Sequence, residues 1–328
     1  MFPSVTFMIM LLPFATLAVE DKPNKYTRYN YCKLNCDVYA HSACMCIRIP
    51  PRKEIRNLPY KKFRKMVLHE HNKWRNYLAS GNESRPQIGW TPAAGNMLVM
   101  SYDLELEYIT RCRGLMTFRY NEWDETGQDK CRLRKGGFPV GQNLFGSSEN
   151  DTLEMIRSGI QTWYDEVEWV TDEDIVDQFG GIGDTIGSYT QMIWWSTNRV
   201  GCSMVYNPEN RESWRYTLIC NYASSVVPTS AGNRIGAQIY QRSETPCDSC
   251  PNGTTCGATP EYPYLCGKQK PVPTQAPALI KRTFSEGGES FGRSFEIGKP
   301  PEEAFSRAEK KGDKVVGYFL LVLLYLVY

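Results

Sequence analysis

Three residues of this chain could assemble a nucleophilic catalytic site: a histidine, a carboxylate and a serine. They are His71, Glu166 and Ser188, and such a set performs acyl transfer when its members lie within hydrogen-bond reach. Nothing in their spacing places them within that reach, and Ser188 is not set in a Gly-x-Ser-x-Gly turn. We therefore favour a structural role, in which Glu166 or Ser188 holds His71 by a hydrogen bond.

The cysteines could bind zinc or form disulfides. Cys247 and Cys250 have the spacing of zinc ligands, but the chain has 12 cysteines and only 3 histidines. Residues 1–18 are apolar and end in small residues, which predicts a secretory signal peptide, with a buried helix as the alternative. An even number of cysteines in a secreted chain is typical of disulfides. We expect six disulfides, no free thiol and no zinc site.

The charge balance excludes one class of partner. Lys and Arg total 38 against 36 Asp and Glu, so the chain has no basic surface typical of nucleic-acid binding. Three Asn-x-Ser/Thr sequons agree with secretion and are predicted glycosylation sites: Asn82, Asn150 and Asn252.

The periodicity of apolar residues predicts the elements that must position His71 and Glu166. Residues 59–78 form an apolar stripe at spacing three and four that includes His71, and Gly81 suits the end of this helix. A second helix is predicted from the N-cap Asp103 to Cys112. A third begins at Asp151, which forms a capping box with Glu154, and leads to Glu166.

Two strands are predicted near the C-terminal end of the same region. Residues 199–206 and 215–222 flank a polar turn. If the turn centres on Arg211, Cys202 faces Cys220 across the hairpin, and a cross-strand disulfide follows from that assumed register.

Five motifs occur in the order expected of one family: H-N-K-W-R at 71–75, V-G-Q-N-L at 140–144, W-Y-D-E at 163–166, G-S-Y-T-Q-M-I-W-W at 187–195 and L-I-C-N-Y at 218–222. Together they resemble the CAP superfamily of cysteine-rich secretory, antigen 5 and pathogenesis-related proteins, over residues 58–222. The flanking cysteines extend the resemblance to the insect antigen 5, or venom-allergen-like, branch. The resemblance implies an α+β fold: an α-β-α sandwich with an antiparallel sheet between helical layers and disulfide-rich extensions at both ends.

The resemblance also implies a cleft lined by two histidines and two glutamates, which in some members binds a divalent metal. Carried over position by position, these are His71, Gln142, Glu166 and Ser188. An amide and a hydroxyl replace a carboxylate and an imidazole, so the cleft is degenerate. We expect weak or absent metal binding and no cofactor.

Aromatic residues near a glycine-rich loop suggest a lipid groove. In the family, sterol and fatty-acid binding is associated with this region and with gaps between helices. The candidates are Phe179, Tyr189, Trp194 and Trp195, with core packing as the alternative for Tyr189 and one tryptophan.

The resemblance implies a non-enzymatic extracellular module that binds a small hydrophobic ligand or a protein partner. A hydrolase using Ser188, His71 and Glu166 is the alternative.

The resemblance implies four disulfides, and two more are assigned without such support. The four are Cys32–Cys44, Cys36–Cys131, Cys46–Cys112 and Cys202–Cys220. The two assigned for the tail are Cys247–Cys256 and Cys250–Cys266.

The predicted domain order is a signal peptide (1–18), a cysteine-rich extension (19–57), the main domain (58–226), a small cysteine-rich module (227–267), a disordered stalk (268–314) and an apolar tail (315–328).

The tail is shorter than the ~20 residues that span a bilayer. It fits a removable GPI-attachment signal, with Ser306 as the attachment site, so we expect a cell-surface protein anchored to the membrane. A short tail anchor or a secreted protein with an unprocessed tail is the alternative.

Overall fold

The computed structural model describes residues 29–34, 36–44, 46, 53–115, 127–181, 185–208, 215–278 and 280. The predicted signal peptide, the attachment residue Ser306 and the apolar tail lie outside the described residues. No helix within these ranges is long and apolar enough to cross a membrane.

A five-stranded sheet forms the centre of the fold. It contains β1 (Lys53–Glu54), β3 (Ser101–Tyr102), β4 (Gly141–Ser147), β5 (Thr197–Tyr206) and β6 (Tyr216–Ser224). The order is β1-β5-β6-β4, with antiparallel pairing throughout, and β3 pairs with β5 in parallel. A separate small sheet joins β2 (Ala93–Ala94) to β7 (Arg242–Ser243).

Helices cover both faces of the central sheet, which confirms the predicted α-β-α sandwich. The helix α2 (Leu104–Leu115) packs on one face, against β5 and β6. The opposite face carries α1 (Tyr60–Ala79), α3 (Thr152–Asp165) and α4 (Gly187–Ile193). Gly201 of β5 allows α2 to come close, because an added Cβ would lie 2.4 Å from the carbonyl oxygen of Asp103.

The predicted register of the hairpin is confirmed. Cys202 lies opposite Cys220, Met204 opposite Leu218, and Tyr206 opposite Tyr216. Alternation along β6 sends Leu218 and Tyr222 towards α1 and α3, while Ile219 and Asn221 face α2. A single-residue shift would exchange the two faces, so the hairpin register fixes which side chains meet.

The helix ends follow from local chemistry. Helix α1 runs one residue beyond the predicted end, and Gly81 follows with φ +75°. Asp151 caps α3 by accepting bonds from the backbone N–H groups of Leu153 and Glu154. The Glu154 side chain accepts instead from the Ser158 hydroxyl at 2.8 Å.

All cysteines in the described residues are paired. The structure joins the same six pairs that the sequence analysis assigned. Cys36–Cys131 and Cys46–Cys112 attach the N-terminal extension to the main domain, where Tyr31 packs against Ile109.

The C-terminal cysteine-rich region is part of the main core, although the sequence predicted a separate small module. Tyr240 and Leu265 are fully buried in the principal hydrophobic cluster. The backbone N–H of Cys266 donates to Met97 O at 2.8 Å, and Val99 N–H donates to Cys266 O at 3.0 Å. The region therefore completes the domain through burial as well as through disulfides.

The prediction of a disordered stalk from residue 268 is wrong for residues 268–278, which we call the strap. Arg64 Nη1 donates to Pro273 O at 2.9 Å and to Gln275 O at 2.7 Å, and Arg111 donates to Ala278 O. Val272 packs against the principal core. Most of the groups that hold the strap are backbone carbonyl and N–H groups, including the N–H of Lys270, which donates to Ser101 Oγ at 2.9 Å. Every sequence supplies such groups, so the composition of the strap did not reveal that it is ordered.

Candidate functional site

His71 lies on the buried face of α1 and has no exposed surface. Its Nδ1 is 2.8 Å from Val67 O, one turn earlier in the helix, and its Nε2 is 2.8 Å from the Tyr222 hydroxyl. A carbonyl only accepts, so Nδ1 carries the proton and Nε2 accepts from Tyr222. Burial, and to a lesser extent the nearby Arg75 guanidinium, lower the pKa of His71 to about 4, against the opposing effect of the hydrogen bond to Val67 O. The one lone pair of the neutral ring, on Nε2, is therefore engaged by the Tyr222 hydroxyl inside the core.

Tyr222 joins His71 to a second polar residue. The Asn143 amide donates to the Tyr222 hydroxyl at 3.3 Å and to Ser188 O at 3.1 Å. The prediction that Glu166 or Ser188 holds His71 is wrong, because the Tyr222 hydroxyl occupies that position. Tyr222 and Asn143 were missed, although both fall within the quoted motifs.

Glu166 and Ser188 do come together. The Glu166 carboxylate accepts from the backbone N–H of Tyr189 at 2.8 Å, and from the hydroxyl and backbone N–H of Ser188. Burial raises the pKa of Glu166 to about 7, although these hydrogen bonds favour the ionised form. The hydroxyl of Ser188 therefore bonds to a carboxylate and not to His71, so a serine–histidine–acid triad is not assembled.

Gln142 lies on the other face of the sheet from His71. It is paired with Asn221, and its Nε2 donates to Asn221 Oδ1 at 2.8 Å. Asn221 and Tyr222 are consecutive in β6, so their side chains point to opposite faces. The four residues carried over from the family resemblance therefore do not converge on one point, and they do not form a metal site here.

The predicted lipid groove is largely closed. Phe179, Tyr189 and Trp194 are buried in the principal core, and the rings of Phe179 and Trp194 meet edge to face at 5.9 Å. Trp195 is half-buried against the same core, and Tyr189 borders a narrow cavity of about 80 Å³. Core packing thus accounts for these aromatic residues, and the space beside them is small for a lipid.

A larger cavity of about 450 Å³ lies at the edge of β5, between β1, the N-terminal end of α1 and the strap. Its volume is within the range of small-molecule sites. Its apolar lining comes from Ile55, Leu58, Tyr60, Phe63, Met204 and Pro277. No sequence pattern predicted this cavity, because its walls come from separate segments and only Phe63 belongs to a predicted stripe.

Paired charges border the same cavity. Arg111 donates to both oxygens of Glu54, at 2.8 and 3.1 Å, and Arg64 donates to both oxygens of Glu107, at 2.7 and 2.8 Å. Bidentate pairs of this kind fix the geometry of both partners. They also attach the strap, since the same two arginines bind its carbonyl groups.

Three sulfur atoms are clustered in the C-terminal region, where zinc was the rejected alternative. Cys247, Cys250 and Cys266 lie within 4.8 Å of one another. All three are in disulfides. A disulfide sulfur is not a thiolate ligand, so the clustering reflects two neighbouring disulfides.

The three predicted glycosylation sites are accessible. Asn82, Asn150 and Asn252 are exposed. Asn82 follows the end of α1, Asn150 precedes α3, and Asn252 lies between two disulfide-bonded cysteines.

Comparison with known proteins agrees with the fold. Residues 68–222 match the family described as CAP: Cysteine-rich secretory protein family. Venom allergen 5 of Polistes dominula is 30% identical over 226 residues, which cover 65% of this chain and 90% of that protein. Venom allergen 5 of Tityus serrulatus is 33% identical over 203 residues, covering 60% of this chain and 43% of that protein.

Among solved structures, Na-ASP-1 has 24% identity and a TM-score of 0.47, with 66% of this chain and 51% of that chain covered. The sequence motifs, the α-β-α sandwich and the near-complete coverage of the Polistes relative all agree. The chain belongs to the cysteine-rich secretory protein (CAP) family, in its antigen 5 branch.

Proposed function

We propose that this protein is a non-enzymatic extracellular module that binds a small hydrophobic ligand in the cavity of about 450 Å³ beside β5. The cavity carries the proposal, because it combines adequate volume with an apolar lining and a few polar groups at its border. The proposed ligand site therefore lies at the N-terminal end of α1, and not at the aromatic residues near α4 that the family resemblance suggested.

The internal bonding of the degenerate cleft supports a non-enzymatic function. A general base must reach the proton that it removes, whereas His71 Nε2 accepts from Tyr222 and Ser188 bonds to Glu166. The hydrolase alternative requires a serine-reactive probe to label Ser188. We expect no labelling that Ser188→Ala abolishes, and labelling of that kind would overturn the non-enzymatic proposal.

The binding proposal is tested by filling the cavity. N-phenylnaphthylamine, a neutral apolar dye, should fluoresce on binding to the purified full chain. Ile55→Trp places an indole in the cavity and should weaken dye binding about tenfold, or ~1.4 kcal/mol. Ile235→Trp is the matched control, because Ile235 is exposed and does not border the cavity. Equal affinities for the parent and both variants would contradict the proposed site.

Attachment to the cell surface is a separate proposal, supported by the exposed sequons and by the C-terminal sequence pattern. Residues 315–328 fit a removable tail, and Ser306 is the proposed GPI attachment site. Phosphatidylinositol-specific phospholipase C should release the protein from intact cells. Retention of the protein, with the peptide 315–328 still present on it, would show a tail anchor instead.

A further inference from the structure

The polar groups at the border of the cavity indicate which chemical class of ligand the cavity fits. Ser203 and Thr152 contribute to its lining and are almost fully buried. Within the described residues, neither side-chain hydroxyl has a hydrogen-bond partner. Buried hydroxyls are normally satisfied, so each is a place where a ligand group could form a hydrogen bond after a change of rotamer.

The cations at this border already have partners. Arg111 binds both oxygens of Glu54 and a strap carbonyl, while Arg64 binds both oxygens of Glu107 and two strap carbonyls. Arg56, at the border, shares Glu54 with Arg111, so three guanidinium groups meet two carboxylates here. The surplus charge belongs to Arg56, whose side chain is 54% exposed, so solvent screens it. The cavity therefore offers hydroxyl groups but no uncompensated buried cation.

An anionic ligand meets a further obstacle. Glu54 and Glu107 both line the cavity, and a ligand carboxylate placed beside them would be repelled. To bind Arg111, such a ligand would have to displace Glu54 and leave that carboxylate without its partner. Burying a charge without a partner is far more costly than burying a hydroxyl that forms a hydrogen bond.

We infer that the ligand is a neutral amphiphile whose apolar chain fills the cavity and whose hydroxyl group bonds to Ser203 or Thr152, and that the ionised fatty acid of equal length is rejected. This inference rests on the proposed function and specifies the chemical class of its ligand. Selectivity arises because a site with paired charges favours a neutral polar group over an anion.

The test compares dodecanol, dodecanoate and dodecane as competitors of N-phenylnaphthylamine on the full chain, at about pH 8, where the fatty acid is ionised. Dodecanol should compete at least about tenfold better than dodecanoate, and better than dodecane, which has no polar group. The variant Ser203→Ala/Thr152→Val should bring dodecanol to the level of dodecane. Ser158→Ala is the matched control, because Ser158 belongs to α3 but does not line the cavity.

A second variant tests the part played by charge pairing. Glu54→Gln leaves Arg111 without its anionic partner, so the affinity for dodecanoate should rise while that for dodecanol changes little. Dodecanoate binding as tightly as dodecanol to the parent would overturn the inference and leave the proposed function intact. If neither the dye nor any of the three competitors binds, the proposed function itself fails.

Discussion

At the scale of single residues, the Tyr222 hydroxyl connects three elements. It bonds to His71 of α1 and to Asn143 of β4, while Tyr222 itself belongs to β6. All three side chains are buried. The hydroxyl is the hydrogen-bond partner of the buried His71 Nε2 and accepts a second bond from Asn143, so its contribution is larger than that of a hydrogen bond exposed to solvent.

Tyr222→Phe should therefore destabilise the protein by about 1–3 kcal/mol, because it leaves the His71 imidazole and the Asn143 amide without their shared partner. Chemical denaturation gives the free energy of unfolding. Tyr216→Phe is the control, since Tyr216 lies on the same strand but is only half-buried, with its ring against Tyr206. Similar losses in the two variants would contradict a structural role for the Tyr222 hydroxyl.

Glu166 should make stability decrease as the pH rises. Its pKa is raised from 4.5 to about 7 by burial, so the folded state holds a proton that the unfolded state releases between these values. Stability from this group is complete below about pH 4.5 and is lost by about pH 7. Glu166→Gln should remove that loss, so the melting temperature of the variant minus that of the parent should increase across this interval. A constant difference would contradict the raised pKa.

His71 should act in the opposite direction. Burial lowers its pKa from 6.5 to about 4, so the unfolded state binds a proton that the folded state excludes. Stability from this group is present above about pH 6.5 and is lost as the pH falls towards 4. His71→Gln should reduce the acid-induced loss of melting temperature over this interval. An unchanged pH profile would show that His71 titrates normally in the folded protein.

At the scale of helices and strands, local signals in the sequence predicted most of what was found. The apolar stripe and Gly81 predicted α1, and Asp103 and Asp151 predicted the starts of α2 and α3. The assumption that the turn centres on Arg211 led to the register that places Cys202 opposite Cys220. The candidate site was predicted less well, because His71 meets Tyr222 only through a contact 151 residues apart in sequence. A motif records residue types, whereas strand alternation decides that Gln142 faces away from His71.

The cap of α3 provides a test at this scale. Asp151→Ala removes the acceptor for two backbone N–H groups, at 2.8 and 2.9 Å, and should cost about 1 kcal/mol of stability. Asp151→Asn keeps an acceptor oxygen and should retain most of the stability of the parent protein. Chemical denaturation of both variants checks this expectation, and equal losses would indicate that the negative charge, and not the cap bond, matters.

At the scale of the whole molecule, the strap closes a cavity that the elements alone would leave more open. Pro277 lines that cavity, and Arg64 and Arg111 fix the strap around it. No local pattern predicted this arrangement, since two buried ion pairs and three backbone carbonyls have to meet. The strap is thus part of the proposed ligand site as well as the connection to the C-terminal residues.

Arg64→Lys should loosen the strap, because an ammonium group cannot bind Glu107 at two points and also reach two carbonyls. Trypsin should then cleave after Lys268 or Lys270 about tenfold faster than in the parent, as the open form becomes more populated. Arg157→Lys is the control, since the side chain of Arg157 is 54% exposed. Unchanged cleavage at these two lysines would mean that the strap is held mainly by other contacts.

The position of the strap has a mechanical consequence. A tensile force applied to the chain beyond Ile280 reaches the carbonyls of Ala278, Gln275 and Pro273 in turn, before it reaches the disulfide at Cys266. Bonds loaded one after another break at lower force than bonds that share the load. Pulling would therefore peel the strap from the domain and open one wall of the cavity, while the disulfide-bonded body stays folded.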